Sequence, residues 1–218
     1  MPTDGTKTRL LDAAEHLFAE RGFPATSLRA LTAEAGANLA SVHYHFGSKE
    51  ALLSAVLARR LGPVNRERLE RLDAIELQAE PAPPPVDQVL RAFLLPPFQR
   101  ARRWGSHGAN FMKLAGRMYS EANPRIQSRF LEQFEEGLKR FSSALARSLP
   151  HLDAVDLHWR MHFVIGTMAH ILIWNENAPC LARQEHRAWD ADAIFDSLVR
   201  FVLAGLQAST NARWEGGD

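Results

Sequence analysis

A single cysteine, Cys180, stands in 218 residues. One thiol excludes an internal disulfide and any metal site built from several thiolates, and Cys180 reads as a loop residue without a special role. A surplus of charge of one sign is also missing: 26 Lys and Arg face 25 Asp and Glu, a formal net charge of +1. No global field therefore draws the chain to a polyanion. Residues 1–60 keep the same balance, with Lys7, Arg9, Arg21, Arg29, Lys49, Arg59 and Arg60 against Asp4, Asp12, Glu15, Glu20, Glu34 and Glu50. Any affinity for nucleic acid must come from placement, which excludes a general DNA coat. Long apolar runs are lacking too. The most apolar stretch, Phe163 to Trp174, contains His170 and is shorter than the ~20 residues a bilayer needs. The first residues show no basic-then-apolar targeting pattern, so a cytoplasmic protein without a membrane partner is expected.

The nine histidines are scattered, and neither a nucleophile motif nor a phosphate loop accompanies them. No catalytic residue and no cofactor is expected. His158 and His162 sit four apart, a spacing at which a helix can hold a metal. Asp153 and Asp156 do not share that face cleanly, and no metal site is expected.

What is present is helical. Hydrophobic residues make up 46% of the chain, enough for a core, and the length suits one small and one medium helical domain. Thr26 and Ser27 offer hydroxyls to the free amides of a first turn. Leu28, Leu31 and Ala35 then recur at helical spacing, and Gly36 ends that helix. Asn38 caps a second helix, in which Leu39, Val42 and Phe46 form the inner stripe. Ala40, Ser41, His43, Tyr44 and His45 are left outside. Ser48 caps a third helix, with Glu50 in its first turn where the helix dipole favours an acid. Two short helices about a tight turn, the second showing Ser, His, Tyr and His, suit entry into a DNA groove. A merely solvated face draws on Lys, Glu, Arg and Asp instead.

Before this segment, Leu10, Leu11, Ala14, Leu17 and Phe18 give a first helix its apolar stripe, and Gly22 stops it. After it, Leu52, Leu53, Val56 and Leu57 begin a long helix that Gly62-Pro63 is expected to kink or break, forming a hinge between domains. Pro81-Ala82-Pro83-Pro84-Pro85 reads as a stiff spacer. A helix over about 86–103 is expected to be interrupted near Pro96-Pro97, and Gly105 and Gly108 mark another joint. Further helices are expected near 109–120, 124–148, 154–177 and 190–208. No internal repeat is seen.

The helix over 154–177 is apolar on most sides, with Leu157, Met161, Val164, Met168, Ile171 and Leu172 on one face and Trp159, Phe163, Ile173 and Trp174 broadening it. Such a helix is expected to be buried all round, against a partner subunit and around a cavity. Ile194, Phe195, Leu198, Val199, Val202 and Leu206 offer a second interface stripe. Phe93, Phe98, Phe111, Met112, Met118, Phe130 and Phe134 are adaptable apolar side chains. They suit a pocket for an apolar ligand or a plain core, and spacing does not separate the two.

Arg21-Gly22-Phe23, Thr26-Ser27-Leu28-Arg29, Ala35-Gly36 and Tyr44-His45-Phe46-Gly47-Ser48-Lys49-Glu50-Ala51-Leu52 resemble the DNA-binding domain of TetR-family repressors. The resemblance covers roughly the first sixty residues. It implies an all-α homodimer, with a three-helix helix-turn-helix DNA-binding domain over residues 1–48 and a helical ligand-binding and dimerisation domain over 49–218. It further implies a repressor that reads a palindromic operator and is released by a small ligand. The DNA-binding residues it implies are Thr26, Ser27, Arg29, Asn38, Ala40, Ser41, His43, Tyr44, His45 and Lys49. Among them Tyr44, His45 and Lys49 would hold phosphates, Ser41 and His43 would face base edges, and Arg29 would reach a guanine. The implied ligand site draws on Phe93, Phe111, Met112, Arg117, Met118, Phe130, Phe134, His162 and Phe163. Lys113, Arg117, Arg160 and His162 are candidate partners for a carboxylate or phosphates.

Shorter stretches, Asn38-Leu39-Ala40, Leu61-Gly62-Pro63, Phe111-Met112-Lys113-Leu114 and His158-Trp159-Arg160-Met161-His162-Phe163, resemble the PsrA-type branch. That resemblance implies a long-chain fatty acid or acyl-CoA as ligand. A sensor of aromatic or cationic drug-like compounds is the alternative within the class, although Glu121, Glu132, Glu135 and Glu136 read as solvated helix faces. An enzyme and an adaptor that binds no DNA are the alternatives outside it.

Overall fold

The computed structural model describes residues 3–103, 105–174 and 191–209; Cys180 lies outside them. These residues form ten α-helices and one 3-10 turn, with no strand among the described residues, and no described helix is long and apolar enough to cross a membrane. The helices are α1 (Thr3–Arg21), α2 (Leu28–Glu34), α3 (Leu39–Phe46), α4 (Lys49–Ala79), α5 (Val86–Arg103), α6 (Gly105–Tyr119), α7 (Pro124–Leu131), α8 (Glu135–Ser148), α9 (Ala154–Trp174) and α10 (Ala191–Gln207). The all-α expectation holds.

The chain packs as two compact units, Met1–Arg66 with Gln99–Glu135, and Glu67–Phe98 with Glu136–Asp218. These units cut the chain elsewhere than the expected functional boundary at 48/49. The first unit is built on α1. Leu10, Ala14, Leu17 and Phe18 are buried on one stripe and meet Leu31 and Ala35 of α2, Val42 of α3 and Leu52, Leu53, Val56 and Leu57 of α4. α6 closes the other side, adding Phe111, Leu114 and Met118, and α7 adds Ile126 and Phe130. Glu15 on α1 is buried between Arg59 and Arg60 of α4, at 2.6 Å and 2.7 Å, and Arg59 also holds Asp12 at 2.7 Å. Each charge has a near partner, which a buried charge requires.

The second unit gathers Leu72 of α4, Val89, Leu90, Phe93 and Leu94 of α5, Phe141, Ala144 and Leu145 of α8, Leu157, Met161, Val164 and Met168 of α9, and Phe195, Leu198, Val199, Val202 and Leu206 of α10. Phe93 and Phe141 meet at 5.1 Å with an interplanar angle of 63°, an edge-to-face pair.

Several local signals are overruled by packing. Gly62-Pro63 does not end α4, which runs on with Pro63 inside it. Proline removes one donor and adds a clash, but Leu61 and Val64 on either side stay buried. Pro96 and Pro97 likewise lie inside α5, which is anchored before them by Phe93 and Leu94 and after them by Phe98 against Phe195 at 5.4 Å. Gly108 is within α6. The expected helix over 124–148 is divided by a 3-10 turn at Glu132–Phe134. Leu39 is 46% exposed and so leaves the inner stripe of α3 to Val42 and Phe46. Within the single chain α9 leaves part of its apolar surface uncovered: Trp159 and Phe163 are 56% and 65% exposed. The proline-rich stretch does separate α4 from α5, and it is fastened, because Ser148 Oγ donates to Pro84 O at 2.6 Å.

Candidate nucleic-acid interface

The α2–α3 pair is set by capping groups at each end. Ser27 is extended, and its Oγ accepts from Ala30 N at 3.1 Å. Gly36 has φ +56°, a left-handed conformation that suits glycine. Ala37 N then reaches back to Thr32 O at 2.9 Å, which closes the turn. Asn38 Oδ1 accepts from Ser41 N at 2.8 Å and from Ser41 Oγ at 2.9 Å. At the far end Gly47, with φ +80°, donates to His43 O at 3.0 Å. Ser48 Oγ accepts from Ala51 N at 3.0 Å and starts α4. Fully buried Val42 seats α3 on the core, with Phe46 packed beside it.

Seating on Val42 turns the opposite side of α3 outward. Tyr44 is 78% exposed, and its ring meets His45 edge-on at 5.0 Å. His43 is exposed, with Nδ1 at 3.1 Å from Gly47 O. When Nδ1 carries the proton and donates there, Nε2 is left as an acceptor. Ser27, Arg29, Asn38 and Ala40 are exposed, and Ser41 and His45 are half-buried. Lys49 is half-buried at the start of α4. Its Nζ donates to Phe23 O at 2.6 Å and lies 4.3 Å from the Phe23 ring centroid. Burial pulls its pKa below the ordinary lysine value, with Glu50 opposing. Thr26 stands apart from the other nine: it is buried, and Oγ1 lies 2.8 Å from Gly22 O and 3.2 Å from Leu17 O. Its hydroxyl fastens the loop before α2 and is not presented outward.

The nine residues of the expected ligand site divide between the two units. Phe111, Met118 and Phe130 are buried in the first unit, with Met112 and Phe134 packed on them and the Phe130 and Phe134 rings 5.1 Å apart. Arg117 is also in that unit. It donates from Nε to Ala19 O at 2.8 Å and from Nη2 to Glu20 O at 3.1 Å, satisfying carbonyls at the end of α1. Lys113 beside it holds Glu20 at 2.7 Å and lowers the pKa of that carboxyl. Phe93 is in the core of the second unit, and His162 and Phe163 are exposed on α9. Arg160 donates to Gly205 O, Leu206 O and Ala208 O, closing the end of α10. Among the described residues no group of three or more metal-ligating side chains gathers. A cleft in the first unit is lined by Arg9, Asp12, Glu15, His16 and Glu34 together with Ala13, Ala35 and Asn110.

One residue that sequence reasoning passed over is Arg68, buried in the second unit at 2% exposure. The signal was available. Leu61, Val64, Arg68 and Leu72 recur at helical spacing, so a cation occupies a place in an apolar stripe.

A short helix capped at both ends, seated by one valine and showing Ser41, His43, Tyr44 and His45, is the geometry of a helix-turn-helix DNA-binding protein. Residues 10–56 match the family model of bacterial regulatory proteins of the tetR family, and residues 91–205 match the tetracyclin repressor-like C-terminal domain. The chain belongs to the TetR family of transcriptional regulators. It is 45% identical over 53 residues to the HTH-type transcriptional repressor KstR2 of Rhodococcus jostii (strain RHA1), a match covering 24% of this chain and 26% of that protein. That match thus spans about a quarter of the relative's length. Among solved structures it resembles the fatty acid degradation regulator FadR from Bacillus halodurans, with TM-score 0.62, 18% identity and coverage of 93% of this chain and 96% of that one. It also resembles FadR from Bacillus subtilis in complex with stearoyl-CoA, with TM-score 0.63, 16% identity and coverage of 91% and 98%. At such identity these likenesses establish the fold alone.

Proposed function

We propose that this chain is a ligand-responsive transcriptional repressor that binds a palindromic operator as a homodimer and is released by a long-chain fatty acid or acyl-CoA. The observation that carries the reading is α3, whose ends are fixed by Asn38 and Gly47 and whose outward face is Ser41, His43, Tyr44 and His45. Ser41 and His43 read base edges, His43 through an Nε2 able to accept from an exocyclic amine. Tyr44, His45 and Lys49 hold phosphates, and Arg29 reaches a guanine. The Lys49 ammonium has three donors, so it keeps Phe23 O while reaching a phosphate.

Support for a dimer comes from α9 and α10. Val155, Trp159 and Phe163 recur at four-residue spacing and are 65%, 56% and 65% exposed, and Phe201 on α10 is 70% exposed. Large exposed rings in one stripe mark an interaction surface. A two-fold pair of this chain would cover it and would set two copies of α3 against a palindrome. Support for an acyl ligand comes from the fold shared with a FadR that is seen with stearoyl-CoA and from the apolar core of the second unit, which includes Phe93, Phe141, Met161 and Met168. Release follows if the ligand binds one arrangement of the protein more tightly than another.

The test is fluorescence anisotropy on DNA from upstream of the chain's own gene, titrated with tetradecanoate and its CoA thioester. Salt-sensitive binding released by either compound is expected. Binding that neither compound alters would remove the acyl ligand from the reading, and no binding across a tiled upstream region would remove the repressor.

A further inference from the structure

Lys49, the proposed phosphate contact at the start of α4, is held before any DNA arrives. Its Nζ donates to Phe23 O at 2.6 Å and lies 4.3 Å from the centroid of the Phe23 ring. Both contacts come from one residue, 26 positions earlier in the chain, in the loop between α1 and α2. That loop is built to present it. Gly22, with φ +82°, lets the chain turn off the end of α1. Phe23 then packs its ring on fully buried Phe18, with centroids 5.3 Å apart, and is itself 6% exposed. Buried Thr26 fastens the far side of the loop. Its hydroxyl donates to Gly22 O at 2.8 Å, and its amide donates to Phe23 O at 3.3 Å.

The chemistry of the two contacts matters. A carbonyl and a ring face both attract an ammonium, and neither carries a charge. A carboxylate in the same place would hold the ammonium more tightly, but it would also neutralise it and leave little attraction for a phosphate. The carbonyl takes one of three donors. Fixing a lysine side chain on binding costs rotamer entropy, and a cation held beforehand avoids most of that cost. We propose that Phe23 is a positioning residue for DNA binding: its carbonyl and ring hold the Lys49 ammonium, still charged, where α4 begins, so that the phosphate is met without reordering the side chain. The inference rests on Lys49 holding a phosphate, as in the function proposed above, and adds the residue that prepares it.

The test measures anisotropy on a short duplex of arbitrary sequence at low salt, because phosphate contacts do not depend on sequence. The full chain is compared as wild type, Phe23→Leu, Phe23→Tyr, Lys49→Ala and the Phe23→Leu, Lys49→Ala double variant, with circular dichroism confirming helicity. Lys49→Ala should weaken binding and reduce the slope of log affinity against log salt by about one for each subunit bound. Phe23→Leu keeps an apolar side chain on Phe18 and loses the ring face. It should weaken binding about two- to fivefold for each subunit bound and leave the salt slope unchanged, since the same phosphate is neutralised. Phe23→Tyr keeps the ring and should bind as wild type does. In the Lys49→Ala background Phe23→Leu should have no further effect. An equal loss in both backgrounds, or unchanged binding by Phe23→Leu in the wild-type background, would overturn the positioning role while Lys49 keeps its phosphate. If Lys49→Ala alters neither affinity nor slope, the phosphate contact and its positioning fall together. Should Phe23→Leu lose its helicity, the wild-type chain decides by NMR. The ring should shift the Lys49 ε-methylene protons upfield of their ordinary position, both free and on DNA, and an ordinary position in either state overturns the proposal.

Discussion

The two units of this chain put their polar groups to different use. In the first, side chains around the DNA-reading helix are fastened to backbone: Ser27 to Ala30 N, Asn38 to Ser41 N, Ser48 to Ala51 N, Lys49 to Phe23 O, and Arg117 to the last carbonyls of α1. In the second, Asp153 and Arg160 close helix ends, large rings stand in solvent on α9 and α10, and an arginine sits in a core containing methionines. The contrast separates two demands. A surface that reads a fixed partner is prepared in place, since misplaced donors weaken recognition. On the proposed reading, the exposed apolar stripe of α9 and α10 awaits a second subunit, and adaptable side chains such as Met161 and Met168 suit a core that takes up an acyl ligand.

The strongest perturbations should fall on the two cores equally, because there the units do not differ in kind. Phe18 and Phe141 are both fully buried, one in each unit. Phe18→Ala and Phe141→Ala are each expected to cost about 3–5 kcal/mol in urea unfolding. A loss below about 1 kcal/mol for either would show that its unit is loosely packed and would undo the symmetry. The next effect belongs to the second unit alone. Phe163→Asp places a charge in the exposed stripe of α9 and should leave the fold intact. It should halve the mass seen by light scattering and weaken operator binding by roughly 30-fold or more, as for loss of an interface anchor. A variant that stayed dimeric would move the interface away from α9.

The same contrast explains what could be read from the sequence. Ser27, Gly36, Asn38 and Ser48 act on amides within a few residues of themselves, so the helix-turn-helix and its caps were legible. Exposure of Tyr44 and His43 followed from the same local periodicity. Pro63, Pro96 and Pro97 are local signals too, but their outcome depends on burial of Leu61, Val64 and Phe93, which no neighbour in sequence reports. The place of α6 was illegible for the same reason. Arg117 meets Ala19 and Glu20 across nearly a hundred positions, and spacing along the chain does not report that Phe111 and Met118 pack in the first core. Trp159 and Phe163 are hydrophobic wherever they lie, and hydrophobicity alone does not say whether a residue is covered by its own chain. Thr26 does not cap with its hydroxyl as its sequence position suggests, because Oγ1 turns back to the Gly22 and Leu17 carbonyls, and Leu17 is nine positions away.

A smaller effect tests whether the first unit's fastening matters to reading. Asn38→Ala removes the acceptor for Ser41 N and is expected to cost about 1 kcal/mol of stability. It should also weaken operator binding several-fold, since Ser41 Oγ loses the same partner. Unchanged affinity with lowered stability would mean that α3 is held by Val42 and Phe46 alone.

The smallest effects should be alike in the two units and lie in their exposed ion pairs. His16 and Glu34 approach at 2.6 Å with side chains 49% and 36% exposed. Arg91 and Asp196 approach at 3.0 Å with side chains 47% and 53% exposed. Water solvates both pairs, and holding two side chains in one geometry offsets most of the remaining attraction. His16→Gln and Arg91→Gln are each expected to change unfolding free energy by about 0.5 kcal/mol or less, with the difference fading in molar salt. A loss above about 1 kcal/mol in the first unit only would mean that surface charge, as well as capping, holds α2 against α1. The DNA-reading face would then be sensitive to ionic strength through its own fold, before any phosphate is bound.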